Sequence, residues 1–130
     1  MTTTLTYALE VNFPEATSAG AVVQELGLWD TQEGGNFLGY IPIAEPSEPI
    51  QVGERFTVPA SHTVISFNSI PAGFTNYWDL AIINLIKDNQ TLYLSLHSGT
   101  SGSTGANELA GGGYQRQLLT SQGFTVATLG

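Results

Sequence analysis

Short stretches of alternating apolar and polar residues, each closed by glycine, proline or an Asx residue, run through nearly all of this 130-residue chain. A period of two gives a strand one apolar face, and turn signals at roughly 8–12-residue intervals restrict such a chain to an antiparallel sandwich or barrel. Residues 4–13 alternate and stop at Pro14. Residues 22–29 alternate and stop at the turn Asp30-Thr-Gln-Glu-Gly-Gly-Asn36, and 37–43 return, which predicts a hairpin. Pro42, Pro46 and Pro49 break the next stretch into a loop. Further strands are expected near 51–58, 62–67, 92–96, 114–120 and 124–127. Only 76–88 differs: Trp78, Ala81, Ile82, Leu85 and Ile86 fall at helical spacing, with Asn76 as N-cap, Asp79 in the first turn and Lys87 in the last. That apolar stripe should pack on a sheet. The expected fold is mainly β, a jelly-roll-like antiparallel β-sandwich with one α-helix near 76–88, as a single domain over 1–130.

Composition removes whole classes of function. With no cysteine, neither a disulfide framework nor a thiolate metal site exists. Arg55, Lys87 and Arg116 are the only basic residues against eleven acidic ones, a net charge of −8. Such a chain cannot neutralise a run of phosphates, which excludes nucleic acid and anionic membrane surfaces as partners. No apolar run is long enough to span a bilayer, and Met1–Thr6 lacks the basic and apolar regions of a secretion signal, so synthesis in a cytosol is expected. Charged residues make up only 11% of the chain, well below the usual quarter. A surface solvated by so little charge suits a protein covered by neighbouring subunits.

The residues that could carry chemistry do not cluster. His62 and His97 lie in alternating strands with no second ligand at metal spacing, and read as half-buried strand residues. Serines and aspartates are present, but no Gly-x-Ser-x-Gly elbow. The Asp30–Asn36 turn does not fit a calcium-loop spacing. Glu45 and Glu48, among prolines, read as solvated acids. Gly111-Gly-Gly113 lacks the Lys-Ser/Thr of a phosphate loop. Trp29, Tyr40, Tyr77, Trp78, Tyr93 and Tyr114 read as core, with a sugar-stacking platform as the competing reading. No catalytic residue, metal site or cofactor is expected.

Two blocks of sequence carry a family likeness. The first comprises Tyr93, Leu96, His97, Asn107, Glu108, Gly111, Gly112, Gly113, Tyr114 and Arg116: a Leu-Tyr-x-x-Leu-His strand, a glycine-rich loop, then Asn-Glu-x-x-Gly-Gly-Gly-Tyr-x-Arg. The second comprises Phe13-Pro-Glu-Ala16, Leu28-Trp-Asp30, Gly34-Gly-Asn-Phe-Leu-Gly-Tyr40, Pro42 and Val52-Gly-Glu-Arg-Phe-Thr-Val-Pro59. Together they resemble a family of small bacteriophage virion structural proteins of tail-fibre, minor structural or capsid-decoration type. In that family the second block usually follows the first. Here it precedes it, as in a circular permutation with a new join at 67–75.

The resemblance implies a non-enzymatic virion protein without cofactors, made in the host cytoplasm. Its expected role is capsid cement, binding and stabilising the head shell; the alternative is a tail-fibre or receptor-binding module that recognises glycans. The expected partners are the major capsid protein or other virion proteins and further copies of the chain, a trimer being favoured. The structural motif is Asn107, Glu108, Gly111, Gly112, Gly113, Tyr114 and Arg116, with Asp30, Gly34 and Gly35 in the hairpin turn. Its glycines should permit a sharp backbone path, and Arg116 should pair with Glu108.

Overall fold

A computed structural model describes residues 2–68 and 75–129. Residues 69–74, most of the expected join, lie outside them. The fold is mainly β, with antiparallel sheets and one helix among the described residues. The chain forms two compact units.

The first unit takes residues 1–10, 59–90 and 120–130. Strands β1 (Thr2–Tyr7), β6 (Thr63–Asn68) and β9 (Phe124–Leu129) form an antiparallel sheet in the order β6-β1-β9. Period-two alternation sorts its faces. Leu5 pairs with Ile65 and Val126, and Tyr7 with Thr63 and Phe124, so these six share one face. Leu5, Tyr7, Thr63 and Phe124 are buried. Helix α1 (Asn76–Asn89) packs on all three strands.

Three expectations are corrected here. Thr75, not Asn76, caps the helix: it keeps extended backbone angles and its Oγ1 accepts a hydrogen bond from Trp78 N at 3.3 Å. The helix also presents a different face. Ile83 is fully buried, whereas Leu85 is 61% exposed and Trp78 50% exposed. Seven apolar residues between Trp78 and Ile86 surround most of the helix axis, so spacing alone does not select the buried stripe. The third concerns aromatics assigned to the core: Tyr77 is 80% exposed, and Tyr40 of the other unit is exposed too.

The second unit takes residues 11–58 and 91–119. Strands β3 (Glu25–Trp29), β4 (Phe37–Pro42), β7 (Leu92–His97) and β8 (Gln117–Leu119) form an antiparallel sheet in the order β4-β3-β7-β8. The expected β3–β4 hairpin is present, with a register shift between Leu28 and Trp29. Strands β2 (Val11–Asn12) and β5 (Thr57–Val58) form a separate pair. The alternating run 4–13 is therefore two strands, β1 and β2, in two units. Its period continues past Tyr7, where Ala8 N turns to Gly123 O, and so conceals the change of sheet.

The four-stranded sheet buries both faces of its two central strands. One face is apolar: Leu26 pairs with Leu96, Leu28 with Leu94, and Leu92 with Leu119. The other carries Glu25 opposite His97, Gly27 opposite Ser95, and Trp29 opposite Tyr93. Ser101, Gly105, Ala106 and Arg116 of the following loop lie against this polar face, and Glu108 and Leu109 return along the β7 edge.

Candidate functional site

The polar face and its loop hold most of the residues that the motif contains. At its floor, Trp29 Nε1 donates to Ser95 Oγ at 2.9 Å, and Ser95 Oγ lies 2.7 Å from His97 Nε2. His97 Nδ1 lies 2.8 Å from the Ala106 carbonyl, which can only accept, so Nδ1 carries the hydrogen. With Trp29 donating to Ser95, the Ser95 hydroxyl donates on to Nε2, and the indole N–H, the hydroxyl and both ring nitrogens have partners. Ser95 and His97 are fully buried. The pair resembles part of a nucleophilic triad in spacing alone: its third member is a backbone carbonyl, and its hydroxyl has no exposed surface. Gly27 makes room for it, since a Cβ there would stand 2.5 Å from His97 Nε2.

The loop is tied to this floor by further polar contacts. Glu25 Oε1 accepts from Ser101 N at 2.9 Å and Ser101 Oγ at 2.6 Å. Gly105 lies flat on Trp29, where a Cβ would come within 2.5 Å of the indole, and its φ of 75° is one that L side chains rarely adopt. Asn107 also has a positive φ of 63°, and its Nδ2 donates to Thr100 O at 2.8 Å.

Arg116 links the loop to the hairpin turn. Its Nε and Nη2 grip Glu108 at 2.8 and 2.9 Å, the expected pair in bidentate form. Its Nη1 donates to the carbonyls of Thr31 and Gly34 at 3.0 and 2.8 Å. Its guanidinium lies 3.7 Å over the Trp29 ring. Tyr114 OH donates to Glu108 at 2.6 Å and accepts from Leu96 N at 3.2 Å. β8 starts only at Gln117 because Leu96, the next residue of β7 that would pair, already gives its N–H to Tyr114 OH and its carbonyl to Leu109 N.

The electrostatics follow from these contacts. Burial pushes the Glu108 carboxyl upward, but hydrogen bonds from Arg116 and Tyr114 and the Arg116 charge outweigh it and hold the carboxyl below its ordinary range. Glu108 in turn raises Arg116. Burial, then the bond to Glu108, pushes the Tyr114 phenol up. In the hairpin turn Asp30 accepts from Asn36 N and Nδ2 at 2.7 and 2.8 Å, and these bonds lower its carboxyl. Gly34 and Gly35 take positive φ in that turn. Gly111, Gly112 and Gly113 do so in succession, with Gly112 O accepting from Thr17 N at 2.9 Å.

The structure thus joins Asp30, Gly34, Asn107, Glu108, Tyr114 and Arg116 around one loop. Trp29, Ser95, Glu25 and Ser101, which carry its floor, were not singled out as a site in the sequence. The available signal was the cross-strand pairing of 25–29 with 93–97, which a one-dimensional reading does not supply. Among the described residues no group of three or more His, Cys, Asp or Glu is placed to hold a metal ion.

Two cavities flank the ridge formed by Leu109 and Tyr114. One, of about 80 Å³, is largely apolar, walled by Phe13, Ala21, Ile50, Phe56 and Leu96. The other, of about 220 Å³, is an open polar trough lined by Gln32, Glu33, Glu108, Gln115 and Arg116.

A family model described as Podophage GP4 fiber I protein gp80 matches residues 2–66, half of the chain. The match holds the Asp30–Asn36 turn and ends before the helix and the Asn107–Arg116 segment. No curated protein matches the chain, and no solved structure does.

Proposed function

The chain belongs to the family of the podophage GP4 fibre I protein gp80, and from that membership we propose that it is a non-enzymatic structural subunit of a phage tail fibre. The family match over residues 2–66 carries the reading. It favours the fibre over the head-shell cement role that low charge density suggested. Its partners in that role are other virion proteins and further copies of itself.

The chemistry of the loop supports a structural part. Glu108, Arg116, Ser95 and His97 are engaged with one another, with Trp29 or with backbone, so they act as internal ties. No helix among the described residues is long and apolar enough to cross a membrane. The permuted order of the two blocks also belongs to this reading. Strands β1 and β9 pair along their length, Thr2 against Leu129, and adjacency of first and last strands lets one fold be read out in two orders.

Electron microscopy of whole particles with an antibody to this chain tests the proposal. Label confined to fibres is the expected result. Label across the head in register with its lattice would replace the fibre reading with the cement reading.

A further inference from the structure

We propose that the free edge of strand β4 pairs antiparallel with the same edge of a second copy of this chain, Tyr40 facing Tyr40. The proposal names a surface for the self-contact that the fibre reading calls for, and its biological setting rests on that reading.

The backbone of β4 leaves this edge open. β4 is the last strand of its sheet. Bonded and non-bonded pairs alternate along an antiparallel ladder. Ile43 N donates to Gln24 O, so the pairs in phase with it, Leu26–Ile41 and Leu28–Gly39, carry the β3–β4 bonds. Tyr40 lies between them, opposite Gly27, and turns its N–H and C=O away from β3. The register shift leaves Leu38 as an extra residue without a mate on β3, so its backbone groups are spare as well. Among the described residues no hydrogen bond from any segment besides β3 reaches Leu38 or Tyr40. Such an edge is a template for an added strand.

The residues along the edge fit a second copy of themselves. Leu38 is 49% and Tyr40 51% exposed, and Pro42 is exposed too. A two-fold axis through Tyr40, normal to the sheet, sets Tyr40 beside its own copy and Leu38 beside the partner's Pro42. Each Tyr40 N–H then meets the other Tyr40 carbonyl, and each Leu38 N–H meets the other Pro42 carbonyl. Pro42 has no N–H of its own to offer, so pairing ends there and the contact is five residues long and closed. The open edges of the first unit present Ser66, Thr125 and Ala127 instead, which would cover little apolar surface.

Charge points to the same place. Each copy carries a net charge of −8, so most approaches of one copy to another bring acids together. Residues 34–44 carry no charge, and Glu33 and Glu45 mark the limits of that stretch. A basic segment of another protein would find no acid on this strand to hold it. The paired strands bury only a fraction of the roughly 800 Å² per partner of a standard interface. The contact is therefore weak between free chains and gains strength where an assembly holds copies close together.

Sedimentation equilibrium of the full chain over roughly 10 µM to 1 mM, with amide-resolved NMR across the same range, tests the contact. The chain should dimerise with a dissociation constant on the order of 100 µM, and the amides of residues 38–42 should shift with concentration. Tyr40→Pro removes the outward donor and leaves the β3–β4 ladder its bonds, so the folded variant should stay monomeric. Leu38→Glu, which leaves the backbone alone, should weaken dimerisation roughly tenfold. Leu85→Glu, on the exposed side of the helix in the first unit, should change nothing. A monomer at every concentration, a trimer, shifts at Gln117–Leu119 in place of 38–42, or a dimer lost in Leu85→Glu and kept in Leu38→Glu would each overturn the proposal. If the chain stays monomeric while antibody still labels the fibre, the edge contact falls and the fibre reading stands. Label absent from fibres, with the dimer intact, leaves the edge contact standing and removes the fibre.

Discussion

The two units bury polar atoms in opposite ways. In the first, the core is apolar side chains such as Leu5 and Ile83, and Thr63 Oγ1 is buried with no hydrogen-bond partner. In the second, Glu25, Ser95, His97, Ser101 and Arg116 are buried, and the hydrogen bonds among them and to backbone give each a partner. The first unit is therefore sensitive to lost volume. The second is sensitive to lost partners, because a buried polar group deprived of its mate incurs its full desolvation cost.

Matched deletions should break the comparison most visibly. Leu5→Ala and Arg116→Met should each cost about 3 kcal/mol, the first through a cavity and the second through a stranded Glu108 and a bare Trp29 face. Denaturant unfolding measures both. They diverge on repair: adding Glu108→Gln to Arg116→Met should recover part of the loss, because the stranded charge disappears. If the double variant is no more stable than Arg116→Met alone, the ion pair is not what ties the loop.

Smaller effects sharpen the same contrast. Ser95→Ala should cost about 1–2 kcal/mol and unprotect the amides around His97, because Trp29 Nε1 and His97 Nε2 both lose their partner. Thr63→Val should do the reverse and stabilise the first unit by about 1 kcal/mol, since it removes an unsatisfied hydroxyl at nearly constant shape; a loss of stability would show that the hydroxyl has a partner. Acid should act on the second unit. The Glu108 carboxyl is held below its ordinary value of 4.5, so its contribution is complete above that pH and is lost as pH falls through the folded-state value. Hydrogen exchange should show the loop around Glu108 opening there, and Glu108→Gln should reduce the pH dependence, with the part due to Asp30 remaining.

Much of this architecture is legible in the residues. Strict alternation and turn chemistry locate the β3–β4 hairpin, β6, β7 and β9, and the single helical period locates α1 to within one residue at its C-terminal end. The Arg116–Glu108 pair and the positive-φ glycines are legible too, because few other reasons exist for such residues so close together. Three features are not. The switch of sheet between Tyr7 and Val11 leaves the alternation intact. The buried face of α1 is hidden by apolar residues on most of its circumference. The Trp29–Ser95–His97 chain depends on a strand register that brings positions 66 residues apart into contact.

The strand order β6-β1-β9 also sets a clock. The central strand β1 is made first, yet its edge stays unpaired until β6 and then β9 emerge, and Phe124 trails Tyr7 by 117 positions. At ordinary translation speeds that wait is on the order of ten seconds. During it the central strand of the first unit lacks its partners, so this sheet can close only after its last strand has been made.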